Sequence, residues 1–236
     1  MKENTFTRPF KTWNHTEQET WRRLATRQLI NAEGKLSRHF FSGIKELHIE
    51  ADQIPDFDHL KKVLQQKTGW SLMSTELGYA DGQTWFETLQ KKHFMVTEYI
   101  RPLDSLDYTP MPDMFHDTFG HLPFLVNKDI SRIITKFTAT ILKCSPAQRK
   151  KLGHIWWYTI EFGLIKENGE VKAWGAGLAS SFGELNRVFA GETLLEKFSP
   201  EVVGATPNSP HKFHDKLFVL DSFAQLETIV DNWPLQ

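Results

Sequence analysis

Two histidines lie close together in the segment PDMFHDTFGH (112–121). His116 and His121 are five positions apart, and a neutral imidazole is the commonest protein ligand for transition metals. The zinc-protease pattern needs histidines four positions apart, so this segment does not match it. Five positions on an ideal α-helix correspond to about 140° of rotation, so both rings reach one metal only if the helix bends, which Gly120 permits. From the spacing alone, the favoured interpretation is one surface histidine and one hydrogen-bonded core histidine.

A carboxylate that could complete a metal site lies further along the chain. Glu161 interrupts the apolar stretch HIWWYTIEFGLI (154–165), and an isolated carboxylate is costly to bury unless it is paired or bound to a cation. Two histidines and one carboxylate form the facial triad of mononuclear non-haem Fe(II) oxygenases. A salt bridge to Arg or Lys, or a solvent-facing helix, would also explain Glu161. His154 could compete as a ligand, but we favour a supporting or surface role for it.

The hydrophobic pattern predicts the elements that must position these groups. Helices are predicted from a Thr16–Glu19 capping box, over 55–66, from the Ser145 cap towards Leu164, and over 222–233. Strands are predicted over 93–100, 171–177 and 216–221, with a turn over 168–170. The pattern therefore predicts a mostly α protein with a few short β-strands, in which a loose segment over 1–12 precedes a single domain over 13–236.

Composition excludes several classes of function. The 236 residues carry a formal net charge of −1, which gives no electrostatic basis for binding nucleic acid or anionic lipid. The single cysteine, Cys144, excludes an internal disulfide framework and is typical of a reducing compartment. The N-terminus lacks the apolar segment of a signal peptide, and no window approaches the length of a membrane span. We therefore expect a cytoplasmic protein.

Longer motifs identify a family. YTPMPDMFHDTFGHLPFL (108–125), WWYTIEFGLI (156–165) and WGAGLASSFGEL (174–185) together closely resemble the pterin-dependent aromatic amino acid hydroxylases. YIRPLDSLDY (99–108) strengthens the match, and the segments occur in the family order. The match is best with the short bacterial phenylalanine 4-hydroxylases. The resemblance implies the mostly helical catalytic fold of that family, extending over nearly the whole chain.

The resemblance also implies the chemistry. His116, His121 and Glu161 match the iron ligands, with Fe(II) and a tetrahydropterin, tetrahydrobiopterin or similar, as cofactors. Three protein ligands on one side of the metal leave the opposite positions open. The implied reaction is the O2-dependent hydroxylation of L-phenylalanine to L-tyrosine, in which the cofactors carry the difficult chemistry.

Further roles follow from the resemblance one position at a time. Arg101 matches the arginine that holds the carboxylate of the amino acid, and a guanidinium fork suits that group. Asp113 matches the acidic residue that orients this arginine. Thr109 and Ser180 match positions that contact the amino acid end of the substrate.

Aromatic and cofactor positions carry over in the same way. Trp157 and Phe162 match aromatic positions of the substrate pocket, although aromatic residues at helical spacing are usually core. Gly78 and Trp85 match the glycine of the pterin loop and the ring that stacks on the pterin, where phenylalanine is usual. Asp117, which we also expect among the cofactor-binding residues, replaces the glutamate that usually follows the first histidine ligand and shortens its reach by about one methylene.

Two segments depart from the family pattern, and several alternatives stay open. STELGYADGQT (74–84) and ATPNSPHKF (205–213) resemble the family poorly, which affects the pterin and the substrate more than the iron. The same mechanism could act on tryptophan or another aromatic amino acid. A zinc-dependent hydrolase and a non-catalytic protein that binds an amino acid or pterin are the rival classes. A 2-oxoglutarate oxygenase does not suit the spacing. The chain leaves no room for a regulatory domain or a tetramerisation helix, so we expect a monomer.

Trp157 generates a prediction about substrate choice. It lies where phenylalanine and tyrosine hydroxylases carry tryptophan and tryptophan hydroxylases tend to carry phenylalanine. A bulky indole narrows the pocket against a tryptophan substrate, so Trp157→Phe should raise tryptophan turnover relative to phenylalanine turnover. Steady-state kinetics with each amino acid measure this ratio, and an unchanged ratio would contradict the assignment.

Overall fold

A computed structural model describes residues 9–76, 81–107, 109 and 111–236. Helices make up most of these residues, as the hydrophobic pattern predicts. The α-helices are α1 (His15–Ala32), α2 (Arg38–Leu47), α3 (Phe57–Thr68), α4 (Gly82–Gln90), α5 (Leu122–Leu125), α6 (Lys128–Lys143), α7 (Pro146–Trp156), α8 (Ala176–Ser180), α9 (Phe182–Phe189), α10 (Pro200–Ala205) and α11 (Phe223–Asp231). There are also two π-helical turns. π1 (His116–His121) leads directly into α5, and π2 (Trp157–Glu161) directly follows α7.

Short strands form two small sheets on the helical body. They are β1 (Ser71–Thr75), β2 (His93–Thr97), β3 (Leu164–Glu167), β4 (Glu170–Ala173), β5 (Leu194–Lys197) and β6 (Lys216–Leu220). β1 and β2 are parallel and are connected through α4, as parallel neighbours require a crossover. The other sheet has the order β4-β3-β6-β5, with β3 and β4 antiparallel and the other neighbours parallel. The two sheets are therefore small additions to a protein made mainly of helices.

The elements predicted from sequence are mostly present. α3, β2, β6 and α11 lie where the pattern predicts them, and α7 starts at the Ser145 cap with Pro146 at its first position. The strand predicted over 171–177 is correct only as far as Ala173, where β4 ends, because α8 begins at Ala176. The predicted turn joins β3 to β4, where Asn168 (φ 52°) and Gly169 (φ 85°) both adopt the left-handed conformation of a tight hairpin loop. The mostly α fold is confirmed. None of the helices in the described part of the chain combines the length and apolar character that crossing a bilayer requires.

The predicted start of the first helix is wrong by two residues. Asn14, not Thr16, caps α1: its side chain accepts from the backbone N–H of Glu17, and the Glu17 carboxylate accepts from the backbone N–H of Asn14. This is also a capping box, so the chemistry is as predicted and only the register differs. Asparagine and threonine are both good caps, which is why the pattern alone does not choose between two overlapping boxes.

Buried aromatic rings support the first π turn. Phe115 and Phe119 stack with ring centroids 4.6 Å apart, and Trp21 of α1 meets Phe115 edge-on at 5.3 Å. All three side chains are fully buried. Offset stacking and edge contacts each stabilise by about 0.5–1.5 kcal/mol beyond the area they bury. The irregular turn is therefore packed on its inner face by the centre of the core.

α2 packs closely on the segment that follows π1. A Cβ added at Gly43 would collide with the backbone carbonyl of Pro123 in α5. Backbone atoms cannot move aside as a flexible side chain can, so only glycine permits this approach. The contact fixes the position of α5, and through α5 it fixes the end of π1, which is His121.

Gly43→Ala should destabilise the protein by about 2–3 kcal/mol, because the new methyl group forces two backbones apart. Gly153 in α7 is the matched control, since a Cβ there meets nothing within 4 Å. Gly153→Ala should stabilise by about 0.5–1 kcal/mol through its higher helix propensity. Denaturant unfolding of the three proteins measures both effects. Equal stabilities for the two variants would contradict the close contact.

Candidate metal centre

π1 brings the two histidines of the first motif together. The distance between His116 Nε2 and His121 Nε2 is 3.1 Å. A π-helix has i→i+5 hydrogen bonds, so residues five apart lie above one another on one face. The predicted bend at Gly120 is therefore wrong, because the helix widens into a π turn instead. Gly120 serves a different purpose: a Cβ there would lie 2.7 Å from the Ala176 carbonyl oxygen, so glycine lets α8 approach.

π2 supplies the third group. Glu161 Oε2 lies 3.3 Å from His121 Nε2 and 3.6 Å from His116 Nε2. These three residues form a cluster whose potential ligand atoms all lie within 4.8 Å of one another. Among the described residues, no lysine or arginine forms an ion pair with Glu161, so its alternative explanation as a salt-bridge partner is not observed. His154 Nδ1 donates to the Gly204 carbonyl oxygen (2.9 Å), and His154 is not part of the cluster.

Trp156 orients the carboxylate. Its indole Nε1 donates to Glu161 Oε1 at 3.0 Å, which leaves Oε2 directed at the histidines. Burial alone would raise the pKa of Glu161, but His121, His116 and the Trp156 hydrogen bond outweigh it and lower the pKa to about 2. The group is therefore an ionised carboxylate at neutral pH, as a metal ligand must be.

Ser180 of α8 orients the first histidine. Its hydroxyl donates its one proton to the Ala176 carbonyl (2.8 Å), so it accepts from His116 Nδ1 (2.9 Å). The ring proton of His116 is then on Nδ1, and Nε2 presents its lone pair to the cluster. Burial, followed by the proximity of His121, lowers the pKa of His116 to about 4. His116 is therefore neutral and ready to coordinate.

The arrangement fits a single divalent metal ion. Bonds of about 2.1 Å place neighbouring donors about 3.0 Å apart in an octahedron and about 3.4 Å apart in a tetrahedron. The observed separations of 3.1, 3.3 and 3.6 Å suit three donors on one ion in either geometry. The cluster offers two imidazoles and one carboxylate, and a cavity borders it. A non-haem Fe(II) site has the same three donors and keeps further coordination positions open.

Arg101 and Asp113 form a buried ion pair beside the cluster. Arg101 Nε and Nη2 donate to the two oxygens of Asp113 at 2.8 and 2.9 Å, and Asp113 Oδ1 also accepts from the His116 backbone N–H at 2.9 Å. Burial opposes ionisation of Asp113, but the charge and hydrogen bonds of Arg101 lower its pKa below the ordinary value. Apart from Asp113, no described residue accepts a hydrogen bond from the Arg101 guanidinium, and Arg101 lines the cavity. Its Nη1–Nη2 edge, which is not the edge that Asp113 holds, is therefore available to pair with a carboxylate.

Most of the remaining predicted residues surround one cavity of about 270 Å³. A single water needs only about 10–15 Å³ on this scale, so the cavity accommodates an organic ligand beside the metal. Arg101, Thr109, Trp157, Phe162 and Ser180 line it, together with Trp85, Asp117 and the three candidate ligands. Thr109 donates its hydroxyl proton to the Met111 carbonyl (2.9 Å). Gly78 lies outside the described residues, and Asp113 supports the cavity from behind Arg101.

Asp117 joins the cluster to the small parallel sheet. Its Oδ2 accepts from the Thr97 backbone N–H at 2.8 Å, and burial raises its pKa to about 7. Trp85 of α4 meets Phe94 of β2 edge-on at 5.5 Å, and Phe94 in turn lies 5.0 Å from the His121 ring. β2 therefore connects the two predicted pterin contacts to the metal cluster.

Sequence reasoning missed three polar residues of this site. Trp156, Glu184 and His214 all line the cavity, and Glu184 and His214 are almost completely buried. Trp156 holds Glu161, whereas His214 accepts from Trp157 Nε1 (2.8 Å) and pairs with Glu184 (2.9 Å). The position of Glu184 in a mostly apolar motif could have indicated a buried, paired carboxylate, because glutamate is seldom buried without a partner.

Comparisons with known proteins identify the family of the chain. The family model described as biopterin-dependent aromatic amino acid hydroxylase matches residues 7–235. The chain is 34% identical over 211 residues to the phenylalanine-4-hydroxylase of Pseudomonas aeruginosa, covering 89% of this chain and 80% of the relative. It is also 34% identical over 184 residues to the tyrosine 3-monooxygenase of Homo sapiens, covering 78% of this chain and 34% of the relative.

A solved structure extends the comparison. The crystal structure of Chromobacterium violaceum phenylalanine hydroxylase with bound iron(III) and oxidized cofactor 7,8-dihydrobiopterin superposes with a TM-score of 0.86. The two chains are 29% identical, and the match covers 94% of this chain and 85% of the other. The fold around the candidate metal centre is thus one that holds iron and a pterin in a relative.

Ser180→Ala should weaken iron(II) binding by roughly 10–100-fold, because the variant no longer fixes the tautomer and orientation of His116. Equilibrium dialysis of iron(II) against each protein measures the affinity. Ser131 is the matched control: it is similarly buried and accepts from Trp70 Nε1 (2.8 Å) away from the cluster. Ser131→Ala should leave iron affinity unchanged. Equal iron affinities in wild type and Ser180→Ala would exclude the orienting role.

Proposed function

This chain belongs to the biopterin-dependent aromatic amino acid hydroxylase family, and we propose that it is a phenylalanine 4-monooxygenase that converts L-phenylalanine to L-tyrosine. The observation that carries the proposal is the cluster of His116, His121 and Glu161 at the wall of a cavity that also presents an arginine edge and aromatic side chains. Residues 13–236 form the catalytic domain in this proposal.

The cofactor side of the proposal rests on the donor set. His116, His121 and Glu161 would hold iron(II), and Asp117 and Trp85 would contact a tetrahydropterin. When bound, iron(II) and the reduced pterin would supply the electrons that split dioxygen, with one oxygen atom going to the aromatic ring and the other to the pterin. Trp156 keeps Glu161 Oε1 occupied, so that only Oε2 is offered to the metal.

The substrate side rests on charge and shape. Arg101, held in place by Asp113, offers its Nη1–Nη2 edge to the substrate carboxylate. Trp157 and Phe162, with ring centroids 4.8 Å apart, pack against the aromatic ring. Thr109 and Ser180 lie at the amino acid end. A substrate fixed at its carboxylate and at its ring presents one ring carbon to the open side of the metal, which is how orientation accelerates the reaction.

Phenylalanine is favoured over the other aromatic amino acids. Identity alone does not separate substrates, since a phenylalanine and a tyrosine hydroxylase are each 34% identical to this chain. The bacterial phenylalanine-4-hydroxylase is matched over 80% of its length, whereas the tyrosine enzyme is matched over only 34%. Trp157 further favours a substrate smaller than tryptophan.

We also propose that the enzyme acts as a cytoplasmic monomer. Its one cysteine, Cys144, is free and buried, which is compatible with a reducing compartment. The exposed large apolar side chains include Ile30 of α1, the adjacent Leu194 and Leu195 of β5, and Leu235 after α11. Sedimentation equilibrium of the iron-loaded protein measures the mass in solution, and a dimer mass would overturn the monomer.

The product assay tests the main proposal. Protein loaded anaerobically with iron(II) should form tyrosine from phenylalanine when oxygen and a tetrahydropterin are added, as identified by mass spectrometry. His116→Ala should lose both iron and product, because two ligands do not hold the ion. His154→Ala, which changes a nearby histidine outside the cluster, should retain both.

Other products discriminate the alternatives. Hydroxylated tryptophan without tyrosine would keep the mechanism and overturn the substrate. Zinc retained in preference to iron, with no oxygen consumption, would favour the hydrolase class. No product from phenylalanine, tyrosine or tryptophan, with iron bound, would overturn the proposed monooxygenase.

A further inference from the structure

We propose that His214 is a positioning residue for substrate selection, which holds the indole of Trp157 in one orientation and so fixes the aromatic wall of the cavity. The inference rests on the proposed function, because it concerns which aromatic ring the same cavity accepts. It adds to the candidate site a chain of three side chains, the half-buried Trp157 and the buried His214 and Glu184, that extends from the cavity wall to α9.

The hydrogen bond between Trp157 and His214 has only one possible direction. The two nitrogens are 2.8 Å apart, and an indole Nε1–H donates but never accepts. His214 Nε2 must therefore be the acceptor, with no proton of its own. The imidazole proton then lies on Nδ1, which is 2.9 Å from Glu184 Oε1 and donates to it.

Glu184 makes this state of His214 the stable one. The same carboxylate oxygen accepts from the His214 backbone N–H at 2.8 Å, so the ring and the backbone of His214 are held at one point. Glu184 lies in the first turn of α9, after the Ser181 cap, where the helix dipole stabilises a negative charge. Both partners are buried, with 4% of Glu184 and 7% of His214 exposed.

Aromatic packing prevents His214 from moving away. Its ring lies 4.3 Å from the Phe162 ring, and Tyr158 meets it edge-on at 5.8 Å. Tyr158 also donates its hydroxyl proton to the Pro207 carbonyl at 2.7 Å, which fixes the segment that leads to His214. The Thr193 hydroxyl donates to the His214 carbonyl at 3.3 Å. His214 is thus a rigid acceptor and not a mobile side chain.

A rigid acceptor decides which edge of the indole faces the cavity. Rotation of Trp157 about its side-chain torsion would exchange its edges and leave the N–H without a partner in a largely apolar wall. The hydrogen bond to His214 prevents that rotation. The shape of the wall then stays constant and suits a single six-membered ring better than the larger indole of a tryptophan substrate.

The wild-type protein gives the most direct test. Ring ¹⁵N shifts of His214 in the zinc-loaded, diamagnetic protein, assigned with His214→Gln, should show protonated Nδ1 and unprotonated Nε2. The Trp157 indole N–H, assigned with Trp157→Phe, should be protected from solvent exchange. A proton on His214 Nε2 would overturn the proposal, because the indole could not donate to it.

Two variants of His214 then separate the acceptor from the ring. His214→Phe keeps a flat ring beside Phe162 but has no acceptor, whereas His214→Gln keeps an acceptor at the end of its side chain. In the iron-loaded enzyme, the ratio of kcat/KM for phenylalanine to that for tryptophan should fall by roughly tenfold in His214→Phe, the factor that one unmade buried hydrogen bond can produce. His214→Gln should stay within about twofold of wild type.

A double variant shows whether His214 acts through Trp157. In the Trp157→Phe background the indole N–H is gone, so adding His214→Phe should leave the substrate ratio unchanged. A further fall in that background, an unchanged ratio in His214→Phe alone, or equal ratios in His214→Phe and His214→Gln would each overturn the proposal. Tyrosine formation by the wild type is measured in the same assays, so a failure of the monooxygenase assignment is recognised separately.

Discussion

The metal centre depends on two π-helical turns. A regular α-helix would direct His116 and His121 to different sides, and only the wider turn of π1 brings their Nε2 atoms to 3.1 Å. π2 ends at Glu161 and widens the end of α7 in the same way, so that Trp156, five positions earlier, reaches the carboxylate. Because π turns are rare, they need support from their surroundings, which is most evident at π1. Stacked Phe115 and Phe119 fill the inner face of π1, and Gly120 permits α8 to lie against it.

Asp113 connects the proposed substrate anchor to the candidate metal cluster. One carboxylate holds the guanidinium of Arg101 and the backbone N–H of His116, which is the first residue of π1. The proposed carboxylate anchor and the proposed metal therefore keep a fixed separation. An exposed Arg–Asp pair would contribute little, but this pair is buried, and removing either partner would leave an uncompensated charge inside the protein. The main contribution of the pair is therefore to fix the positions of the Arg101 guanidinium and of His116, more than to stabilise the fold.

The sequence predicts the fold class, most of the elements and the residues that form the cluster, because hydrophobic period and long motifs are local signals. It does not predict the π turns, since nothing in the spacing of His116 and His121 distinguishes a bent α-helix from a widened one. It also misses Trp156 and His214, whose roles depend on atoms contributed by other turns and elements. Ser180 is instructive: the family resemblance assigns it to the substrate, whereas the structure shows its hydroxyl against His116 Nδ1 as well as the cavity. A motif match identifies the residue at a functional position, but the atoms that this residue contacts become evident only from the fold.

The cavity has two sides that are built from different parts of the chain. On one side, β2 supplies Thr97, whose backbone N–H donates to Asp117, and α4 supplies Trp85. The other side is formed by π2, α9 and the segment before β6. The two segments that resemble the family poorly, 74–84 and 205–213, contribute Thr75 and Gly82 to the first side and Ser209, Pro210 and Lys212 to the second. The three candidate metal ligands come from π1 and π2, and neither of the two segments includes any part of these turns. Changes in these loops can therefore alter the pterin or the amino acid that is accepted while the metal cluster stays constant. His214, which directly follows the second segment, accepts the hydrogen bond from Trp157 in the cavity wall.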